Sequence, residues 1–382
     1  MRLHLLACLG LLLTLLAGCA SDPARIKPSP LPAVAADAPS VERLWAVSPG
    51  GASGEDFPRL RPAVLENRVF AATDSGRVIA VDEKGSVIWE QRLGLALSGG
   101  LSAGYGRIFL GTAEGELLAL SAMDGKLIWR QRLSSAMLAP VALAADRVVA
   151  QSQDGRVQVL DAGTGSPVWS YDVPVPQLSL RGYAMPIIAN GKVVVASAAG
   201  KVVALDLATG AGLWESQVAT PAGRTEVERL VDIDGDMLLT FNETLYVGSY
   251  QGQLVALDLR DRPEPAWEFP VSTLLAPAEG LGNVYVINTQ DEVLAVDDGS
   301  GKAVWKQDKL KGRLLSAPAV VSGWLVLGDA EGYVHFLSQS DGRYRGRLRV
   351  KGAVVSLQVQ GDSLLVTTRS GQVSRWKIAA AG

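Results

Sequence analysis

The sequence predicts an all-β fold, an eight-bladed β-propeller built from four-stranded antiparallel blades. Two observations predict this class. A turn of small residues followed by an alternating apolar strand recurs eight times, and most turn glycines lie 39–41 residues apart. A tryptophan follows most of the copies at a similar distance. The copies are DSGRVIAVD (74–82), AEGELLALS (113–121), QDGRVQVLD (153–161), AAGKVVALD (198–206), YQGQLVALD (250–258), QDEVLAVDD (290–298), AEGYVHFLS (330–338) and RSGQVSRWK (369–377).

Each repeat unit holds four short strands. In the seventh unit, APAVV (317–321) precedes WLVLGD (324–329), a Gly turn leads to YVHFL (333–337), and an Asp-Gly turn leads to a fourth strand. Alternating apolar residues with turns every 8–12 residues are typical of antiparallel strands. Four such strands in a unit of about 40 residues predict one propeller blade.

The tryptophan of each unit falls in the fourth strand, and we interpret it as a packing residue between neighbouring blades. In the seventh unit we assign Tyr344 to this place. The last unit stops after its third strand, and LWAV (44–47) is predicted to supply the missing one with Trp45. An N-terminal strand that completes the last blade closes the ring and removes two exposed edges. The other tryptophans of the series are Trp89, Trp129, Trp169, Trp214, Trp267 and Trp305.

Residues 1–18 have the pattern of a secretory signal peptide, with Arg2 before an apolar run that is too short to span a bilayer. The run ends in LAGC (16–19), which resembles the bacterial lipobox, so Cys19 is predicted to become the lipidated N-terminus. Ala20 follows, and the lack of an Asp there favours the outer membrane by analogy with Gram-negative lipoproteins. We therefore expect a lipid-anchored protein that faces the periplasm, with the lipid as its only membrane contact.

Residues 19–40 form the next segment, which contains no aromatic residue and five prolines. Such a composition cannot bury a core and predicts an extended tether that lets the folded body stand off the membrane. The propeller is expected to occupy residues 41–382. The prolines are Pro23, Pro28, Pro30, Pro32 and Pro39.

The composition excludes several classes of protein. The 36 Lys and Arg residues are nearly balanced by 39 Asp and Glu, and no basic stretch suggests a nucleic-acid partner. The mature chain keeps no thiol for a disulfide, because Cys8 leaves with the signal peptide and Cys19 is lipidated. With 48% hydrophobic residues the chain can instead be stabilised by burying a core.

Residues suited to catalysis are scarce in this sequence. His335 is the single histidine of the mature chain, and it lies inside YVHFL, where we expect a partly exposed strand residue. Without a second histidine or a cysteine, neither a zinc site nor a Ser-His-Asp triad is supported. We therefore predict that the protein is not an enzyme and binds no cofactor.

One spacing resembles a calcium loop. Asp232, Asp234, Asp236 and Glu243 stand at positions 1, 3, 5 and 12 of an EF-hand pattern, but position 6 is Met237 instead of Gly. The segment MLLTF (237–241) is also predicted to be a strand, which would carry the glutamate away from the aspartates. Calcium binding is therefore not expected here.

Two insertions interrupt the repeat. The distance between turn glycines grows to 45 residues between Gly155 and Gly200 and to 52 between Gly200 and Gly252. The extra residues lie in VPVPQLSLRGYAMP (173–186) and VATPAGRTEVERLVDIDGDM (218–237). Both connect the fourth strand of one blade to the first of the next, so they share one face of the ring and belong to adjacent blades. Loops on a rigid scaffold commonly carry binding functions.

The two insertions differ in chemistry. Leu178 and Leu180 point the same way on an extended chain, beside Arg181, while the second insertion carries acidic residues and Arg229. Apolar anchors beside charged groups are typical of a protein interface. The alternative is that the leucines cover the blade core and the acids form a solvated loop.

The repeat pattern G-x-V-x-A-L-D-x-x-T-G-x-x-x-W, as in Gly200–Trp214, resembles the pyrroloquinoline-quinone dehydrogenases. That resemblance implies an eight-bladed propeller. Known members of that family hold their quinone over a calcium ion, often beside a disulfide of adjacent cysteines. This chain has no such cysteines and no evident catalytic Asp in a central insertion, so the resemblance concerns the scaffold.

A second resemblance covers essentially the whole chain. The lipobox, the Pro-rich tether, the repeats, LSLRG (178–182) and ERLVDID (228–234) together resemble the BamB family, the lipoprotein subunits of the β-barrel assembly machinery in Gram-negative outer membranes. The resemblance implies a non-enzymatic scaffold that binds the periplasmic POTRA domains of BamA, the barrel-inserting subunit. The family's contact residues carry over to Leu178, Leu180, Arg181, Asp232 and Asp234.

The resemblance has one departure, because Tyr183 and Met185 stand where more polar residues are expected. A further expectation is that the ring takes up unfolded outer-membrane proteins by strand addition. Two alternative functions remain at this stage: a periplasmic quinoprotein-like dehydrogenase and a propeller that binds cell-wall glycan.

Overall fold

A computed structural model describes residues 27–50, 60–180, 184–260 and 264–381, and these residues form 32 β-strands. The strands pair into eight four-stranded antiparallel sheets, as the repeats predict. The first half of the strands is β1 (Val41–Val47), β2 (Ala63–Leu65), β3 (Arg68–Ala72), β4 (Arg77–Val81), β5 (Val87–Arg92), β6 (Leu97–Gly104), β7 (Arg107–Thr112), β8 (Glu116–Ser121), β9 (Leu127–Arg132), β10 (Ala142–Ala144), β11 (Arg147–Gln151), β12 (Arg156–Asp161), β13 (Pro167–Asp172), β14 (Ile187–Ala189), β15 (Lys192–Ser197) and β16 (Lys201–Asp206).

The second half is β17 (Gly212–Gln217), β18 (Leu238–Leu239), β19 (Thr244–Gly248), β20 (Gln253–Asp258), β21 (Pro265–Pro270), β22 (Ala278–Gly280), β23 (Asn283–Ile287), β24 (Val293–Asp297), β25 (Ala303–Gln307), β26 (Ala319–Val321), β27 (Trp324–Gly328), β28 (Tyr333–Ser338), β29 (Tyr344–Arg349), β30 (Val354–Gln360), β31 (Ser363–Thr368) and β32 (Val373–Ile378). Blades 1 to 7 are β2–β5, β6–β9, β10–β13, β14–β17, β18–β21, β22–β25 and β26–β29. Blade 8 combines β30, β31 and β32 with β1.

The ring closes as the sequence predicts. β1 pairs antiparallel with β32, and Trp45 lies opposite Arg375. The Trp45 indole N–H donates to the Glu83 carbonyl in blade 1 at 3.0 Å, which joins the last blade to the first. The paired strand is three residues longer than the predicted LWAV, because pairing extends from Val41 to Val47.

The hydrophobic core lies between neighbouring blades. Because each middle strand is covered on both faces, its central residues are buried irrespective of their alternation, as in Leu117–Leu120 of β8. Trp129 shows how the blades are joined: its indole N–H donates to the Ala162 carbonyl of blade 3 at 3.1 Å. The ring lies so close to Gly165 that a Cβ there would come within 2.6 Å of it. Equivalent bonds join Trp89 to Ala122, Trp169 to Leu207, Trp267 to Asp298 and Trp305 to Gln339.

Blade 7 departs from this pattern, and the assignment of Tyr344 to the tryptophan place is wrong. The tryptophans of blades 1 to 5 pair with the fourth residue of the third strand of their blade, as Trp89 does with Ala80. In blade 7 that fourth residue is Phe336, and its partner is Gly346. A Cβ on Gly346 would meet Ala38 at 3.0 Å and Pro39 at 3.5 Å. The N-terminal segment therefore covers the place where the other blades carry an indole.

Residues 27–40, here called the strap, lie against blade 7 instead of standing free. The Ala35 N–H donates to the Arg345 carbonyl at 2.9 Å, and Arg347 donates to the Pro32 carbonyl at 2.7 Å. Asp37 forms an ion pair with Arg345 at 2.7 Å. Prolines keep their carbonyl acceptors although they lack an N–H, so this Pro-rich segment binds the blade without joining its sheet. The expected stand-off does not hold for this part of the tether.

His335 is fully buried, whereas the sequence suggested a partly exposed residue. Its Nε2 lies 2.9 Å from a carboxylate oxygen of Asp329, and its Nδ1 lies 3.2 Å from the Tyr344 hydroxyl. These distances fit a neutral ring that donates from Nε2 and accepts the tyrosine hydroxyl at Nδ1. Arg313, only 2% exposed, pairs with Asp329 at 2.8 Å and also with Glu331.

None of the described residues forms a helix long and apolar enough to span a bilayer.

Candidate partner-binding surface

Both insertions lie where the sequence places them. The first insertion, residues 173–186, joins β13 to β14, and the second insertion, residues 218–237, joins β17 to β18. They are consecutive connections between blades and therefore occupy neighbouring positions on one face of the ring. The predicted strand MLLTF shrinks to Leu238–Leu239, because Thr240 and Glu243 form a turn in which Glu243 has a φ of 62°.

The first insertion presents two leucines to solvent. Leu178 and Leu180 are 42% and 40% exposed. Pro174 and Pro176 keep the backbone between β13 and these leucines extended. The Leu180 N–H donates to Oδ1 of Asp232 in the second insertion at 2.7 Å. Buried Asp232 therefore fixes the backbone of the leucine segment, and the leucine side chains face solvent.

Asp232 is buried, in contrast to the exposed acid that a solvated loop would show. Burial raises the pKa of its carboxyl, and the hydrogen bond from Leu180 acts in the opposite direction. Within the described residues Oδ2 of Asp232 has no hydrogen-bond partner. Burying a carboxylate costs free energy unless it is fully hydrogen-bonded. Asp232 therefore positions the loop and contributes little to stability.

Asp236 holds the other end of the first insertion. Its Oδ1 accepts the Met185 N–H at 2.7 Å, and its Oδ2 pairs with Arg61 at 2.5 Å. Arg61 precedes β2 in blade 1 and also donates to the Met185 sulfur at 3.5 Å. The pair therefore links the insertions to the opposite side of the ring.

The tip of the second insertion is a compact turn. The Glu228 carboxylate accepts the N–H groups of Arg224 at 2.7 Å and Thr225 at 3.1 Å, and these bonds lower its pKa. The turn leaves Val227 61% exposed and Arg229 exposed at its end. A third apolar side chain and a cation therefore lie on the insertion that also supports the leucines.

The two insertions share one core. Ala184 of the first insertion packs in the same buried cluster as Val218, Ile233 and Met237 of the second. Gly235 allows the second insertion to approach the next connection closely, since a Cβ there would lie 2.4 Å from the Leu275 carbonyl carbon. Packing and hydrogen bonds thus join the described residues of both segments into one unit.

The predicted site residues separate into two groups. Leu178, Leu180 and Arg229 lie at the surface, whereas Asp232 and Asp234 lie inside, behind the leucine segment. Arg181 and Cys19 fall outside the described residues.

Sequence reasoning missed Arg61, Asp236 and Val227. Asp236 entered only as part of the calcium spacing, and Val227 could have been noticed as the lone apolar residue of TEVER (225–229). Arg61 carried no signal, because its partner is 175 positions away.

In the second insertion the carboxylates of Glu228, Asp232 and Asp236 accept backbone amides, and Asp236 also pairs with Arg61. Within the described residues no three Asp, Glu, His or Cys side chains form a group that could hold one. A cavity of about 560 Å³ lies between the first strands of blades 1, 2, 3 and 8, lined by apolar residues with Arg61, Ser102, Gln358 and Gln360. These polar groups form neither a nucleophile–base pair nor a metal site.

Fold and surface together define a propeller of quinoprotein-like repeats whose distinctive feature is a pair of interlocked loops. The family model described as outer membrane protein assembly factor BamB matches residues 33–96, 81–307 and 289–381. The BamB of Pseudomonas aeruginosa is 44% identical over 88% of this chain and 89% of its own length. The BamB of Marinobacter adhaerens is 45% identical over 97% and 95%, and that of Escherichia coli 33% over 98% and 99%. The chain belongs to the BamB family of outer membrane protein assembly factors.

Solved structures agree with this assignment. The crystal structure of BamB from Moraxella catarrhalis superposes with a TM-score of 0.81 at 29% identity, covering 88% of this chain and all of that one. The quinohemoprotein alcohol dehydrogenase of Comamonas testosteroni reaches 0.70 at 14% identity, over 88% of this chain and 76% of that one, which shows a shared fold alone. The curated relatives are named as assembly factors and not as enzymes.

Proposed function

We propose that this assembly factor is a scaffold that binds the periplasmic POTRA domains of BamA through the surface formed by Leu178, Leu180, Arg181, Val227 and Arg229. In doing so it supports folding and insertion of outer-membrane β-barrel proteins. A lipid on Cys19 anchors the protein to the outer membrane, facing the periplasm. The observation that carries the proposal is the bond from the Leu180 N–H to buried Asp232, which fixes a loop whose leucine side chains remain exposed.

A loop that is ordered before binding reduces the entropy cost of association. A loop that becomes ordered only when it binds loses about 0.5–1.5 kcal/mol for each side chain it immobilises. Here Asp232 holds the backbone at Leu180, between the two leucine side chains, and Asp236 holds it again at Met185, before a partner arrives. The leucines can therefore bury apolar area on binding with little further loss of entropy.

The charges divide into two roles. Arg229 is exposed and can pair with an acid on the partner, which affects association rate and orientation more than affinity. Asp232 and Asp234 are buried, so we assign them to holding the loop instead of touching BamA directly. This assignment differs from the direct contact that the family resemblance implies.

Co-purification with BamA tests the surface. We expect Leu178→Glu/Arg181→Glu to abolish co-purification while leaving the thermal midpoint unchanged. Leu314→Glu is the matched control, because Leu314 is a 50% exposed leucine in the connection between blades 6 and 7 on the same ring face. Retained binding by the folded double variant, or equal loss in the control, would refute the assignment.

A second experiment tests whether Asp232 positions the loop. Asp232→Ala removes the acceptor for the Leu180 N–H, and we expect it to weaken BamA binding about tenfold through lost ordering. Asp232→Asn keeps an oxygen in that place and should restore most of the affinity.

The control is Asp291→Ala. The Asp291 carboxylate accepts the N–H groups of Leu314 at 2.8 Å and Leu315 at 2.9 Å, so it holds another connection in the same way. We expect it to leave BamA binding unchanged. A failure of Asp232→Asn to rescue binding would show that the carboxylate charge itself meets the partner.

Lipidation is tested by labelling with a fatty acid. We expect label in the wild-type protein and none in Cys19→Ser. Label in the variant would place the lipid elsewhere.

A further inference from the structure

The strap leaves the propeller at a cluster of arginines. Its Ser29 carbonyl accepts a hydrogen bond from Arg313 at 2.7 Å, and its Ser29 N–H donates to the Lys311 carbonyl at 2.9 Å. The guanidinium of Arg313 lies 5.8 Å from the centre of the Tyr333 ring. The chain that leads towards Cys19 therefore departs directly beside Tyr333.

Two more guanidinium groups surround the same ring. Arg349 lies 4.3 Å and Arg347 5.8 Å from the centre of Tyr333. These arginines belong to RYRGRLRVK (343–351), in which every second residue is basic. Sequence analysis found no basic stretch because other residues separate the charges.

The cations of this cluster are not equally neutralised. Arg313 is paired with Asp329 and Glu331, and Arg347 is bonded to the strap. Arg349 and Lys351 are exposed, and within the described residues no ion pair joins either of them to an acid. Lys309 and Lys27 are also exposed and carry no ion pair within the described residues. The nearby acids are Asp329 and Glu331, which Arg313 engages, Glu292, which pairs with Lys306 and Lys311, and Asp308. A surplus of positive charge thus lies at the strap exit of a protein with a net charge of −3.

The length of the connecting chain limits how far this edge can be from the anchor. Eight Cα-to-Cα steps lead from Cys19 to Lys27, and a fully extended chain spans at most about 3.6 Å per step, or about 29 Å in total. Because the strap is bonded along blade 7, rotation of the propeller cannot carry the exit away from the anchor. The proposed lipid anchor would therefore keep the strap exit on blade 7 within about 29 Å of the membrane surface.

We propose that the edge of blade 7 at the strap exit binds the phosphates of anionic phospholipid headgroups through Arg349 and Lys351, so that the lipid anchor is not the only membrane contact. Guanidinium groups bind phosphate oxygens in paired hydrogen bonds, and a basic surface next to a lipid chain strengthens membrane attachment. The contact fixes the tilt of the ring and leaves the insertions, across the ring, free for a partner. The geometric argument rests on the proposed lipid anchor, but the headgroup site can be tested without it.

Binding to sucrose-loaded vesicles tests the proposal with the mature Cys19→Ser chain, which cannot be lipidated. The vesicles contain phosphatidylcholine alone or with phosphatidylglycerol. We expect at least about tenfold stronger partition onto the anionic vesicles at low salt, decreasing as salt is raised. Arg349→Glu/Lys351→Glu should abolish that preference, and Arg349→Gln/Lys351→Gln should reduce it about tenfold.

The matched control is Lys84→Glu/Arg132→Glu, which changes net charge equally. Arg132 is the last residue of β9 and lies opposite Glu116, the first residue of the third strand of its blade. Arg349 occupies the equivalent place in β29, opposite Tyr333. We expect control binding within about twofold of the parent chain. Equal binding to both vesicle types, or equal loss in the control, would overturn the proposal. Competition by inorganic phosphate at concentrations where an equal ionic strength of chloride has no effect would assign the site to free phosphate and also overturn it.

Discussion

The repeat is broken in two regions, at the insertions between blades 3 and 5 and at blade 7, and the two breaks use buried charge differently. At the insertions, Asp232 is buried against a backbone amide, and apolar side chains remain outside. At blade 7, Asp329 is buried against Arg313 and His335, and the strap is bonded over the blade. Added residues interrupt the repeat at the insertions, and the absence of a docking tryptophan interrupts it at blade 7.

The different partners of Asp232 and Asp329 imply different contributions to stability. A buried carboxylate with one amide partner fixes a position at a cost in free energy. A buried carboxylate with a guanidinium and a histidine belongs to a network in which loss of one member leaves the others uncompensated. Changes at blade 7 should therefore act mainly on stability, and changes at the insertions mainly on binding.

The largest expected effect is Arg313→Met, which removes the guanidinium buried beside Asp329. Breaking a buried pair on one side costs about 3–5 kcal/mol, and the strap also loses its bond at Ser29. We expect a corresponding drop in the free energy of unfolding, measured in urea by tryptophan fluorescence. The control is Arg343→Met, which breaks the exposed pair with Asp341 and should cost at most about 1 kcal/mol. Similar values for both variants would contradict the network.

Gly235→Ala tests the rigidity of the insertions. The added Cβ would lie 2.4 Å from the Leu275 carbonyl carbon and 2.6 Å from the Ala276 nitrogen, so backbone must move. Overpacking of this kind costs about 1–3 kcal/mol, and displacement of Asp232 and Asp236 should also weaken BamA binding. Gly299→Ala is the control, since the nearest atom to its Cβ would be 3.8 Å away. If Gly235→Ala is destabilised but keeps full BamA affinity, the second insertion does not contribute to the binding surface.

The propeller could be predicted because it depends on local patterns. Strand alternation, turn glycines and Trp45 specify eight blades and their closure. The position of Gly346 could also be predicted, because five of the tryptophans stand four residues after a turn glycine and Gly346 stands four after Gly342. These five are Trp89, Trp129, Trp169, Trp214 and Trp305.

The buried charges could not be predicted in this way. A middle strand covered on both faces buries every central residue, so alternation does not reveal that His335 is inside. The partner of Asp232 is a backbone amide 52 positions away, which leaves no mark on residue types. Pro-rich composition indicated a free tether, yet the strap binds through main-chain carbonyls that composition does not show.

A pH profile sharpens the account of blade 7. Burial lowers the pKa of His335 from its ordinary 6.5, against the opposing effect of Asp329, while Arg313 and Arg347 add to the lowering. The unfolded chain therefore binds a proton that the folded chain excludes, and this contribution is complete above pH 6.5 and is lost as the pH falls below it. The other facing groups are Tyr344 and Tyr333, and Asp329 stays ionised because its pKa is lowered.

We expect the wild-type protein to lose up to about 1.4 kcal/mol of stability per pH unit below 6.5, measured as the thermal midpoint between pH 7.5 and 5. His335→Gln, which keeps a polar side chain but cannot be protonated, should flatten this part of the profile. Equal slopes in both proteins would assign the pH dependence to other groups.

The smallest expected effect is Asp37→Ala, which removes the exposed ion pair between the strap and Arg345. Such pairs contribute at most about 1 kcal/mol, so the global unfolding midpoint should hardly move. Local opening is the more sensitive measurement: the Ala35 N–H, bonded to the Arg345 carbonyl, should exchange with solvent several times faster. Asp172→Ala breaks a similar pair, between Asp172 on β13 and Arg156 on β12, and should leave exchange at Ala35 unchanged. Unchanged exchange at Ala35 in Asp37→Ala would show that the main-chain groups of the strap, bonded to Lys311, Arg313, Arg345 and Arg347, hold it in place without the ion pair.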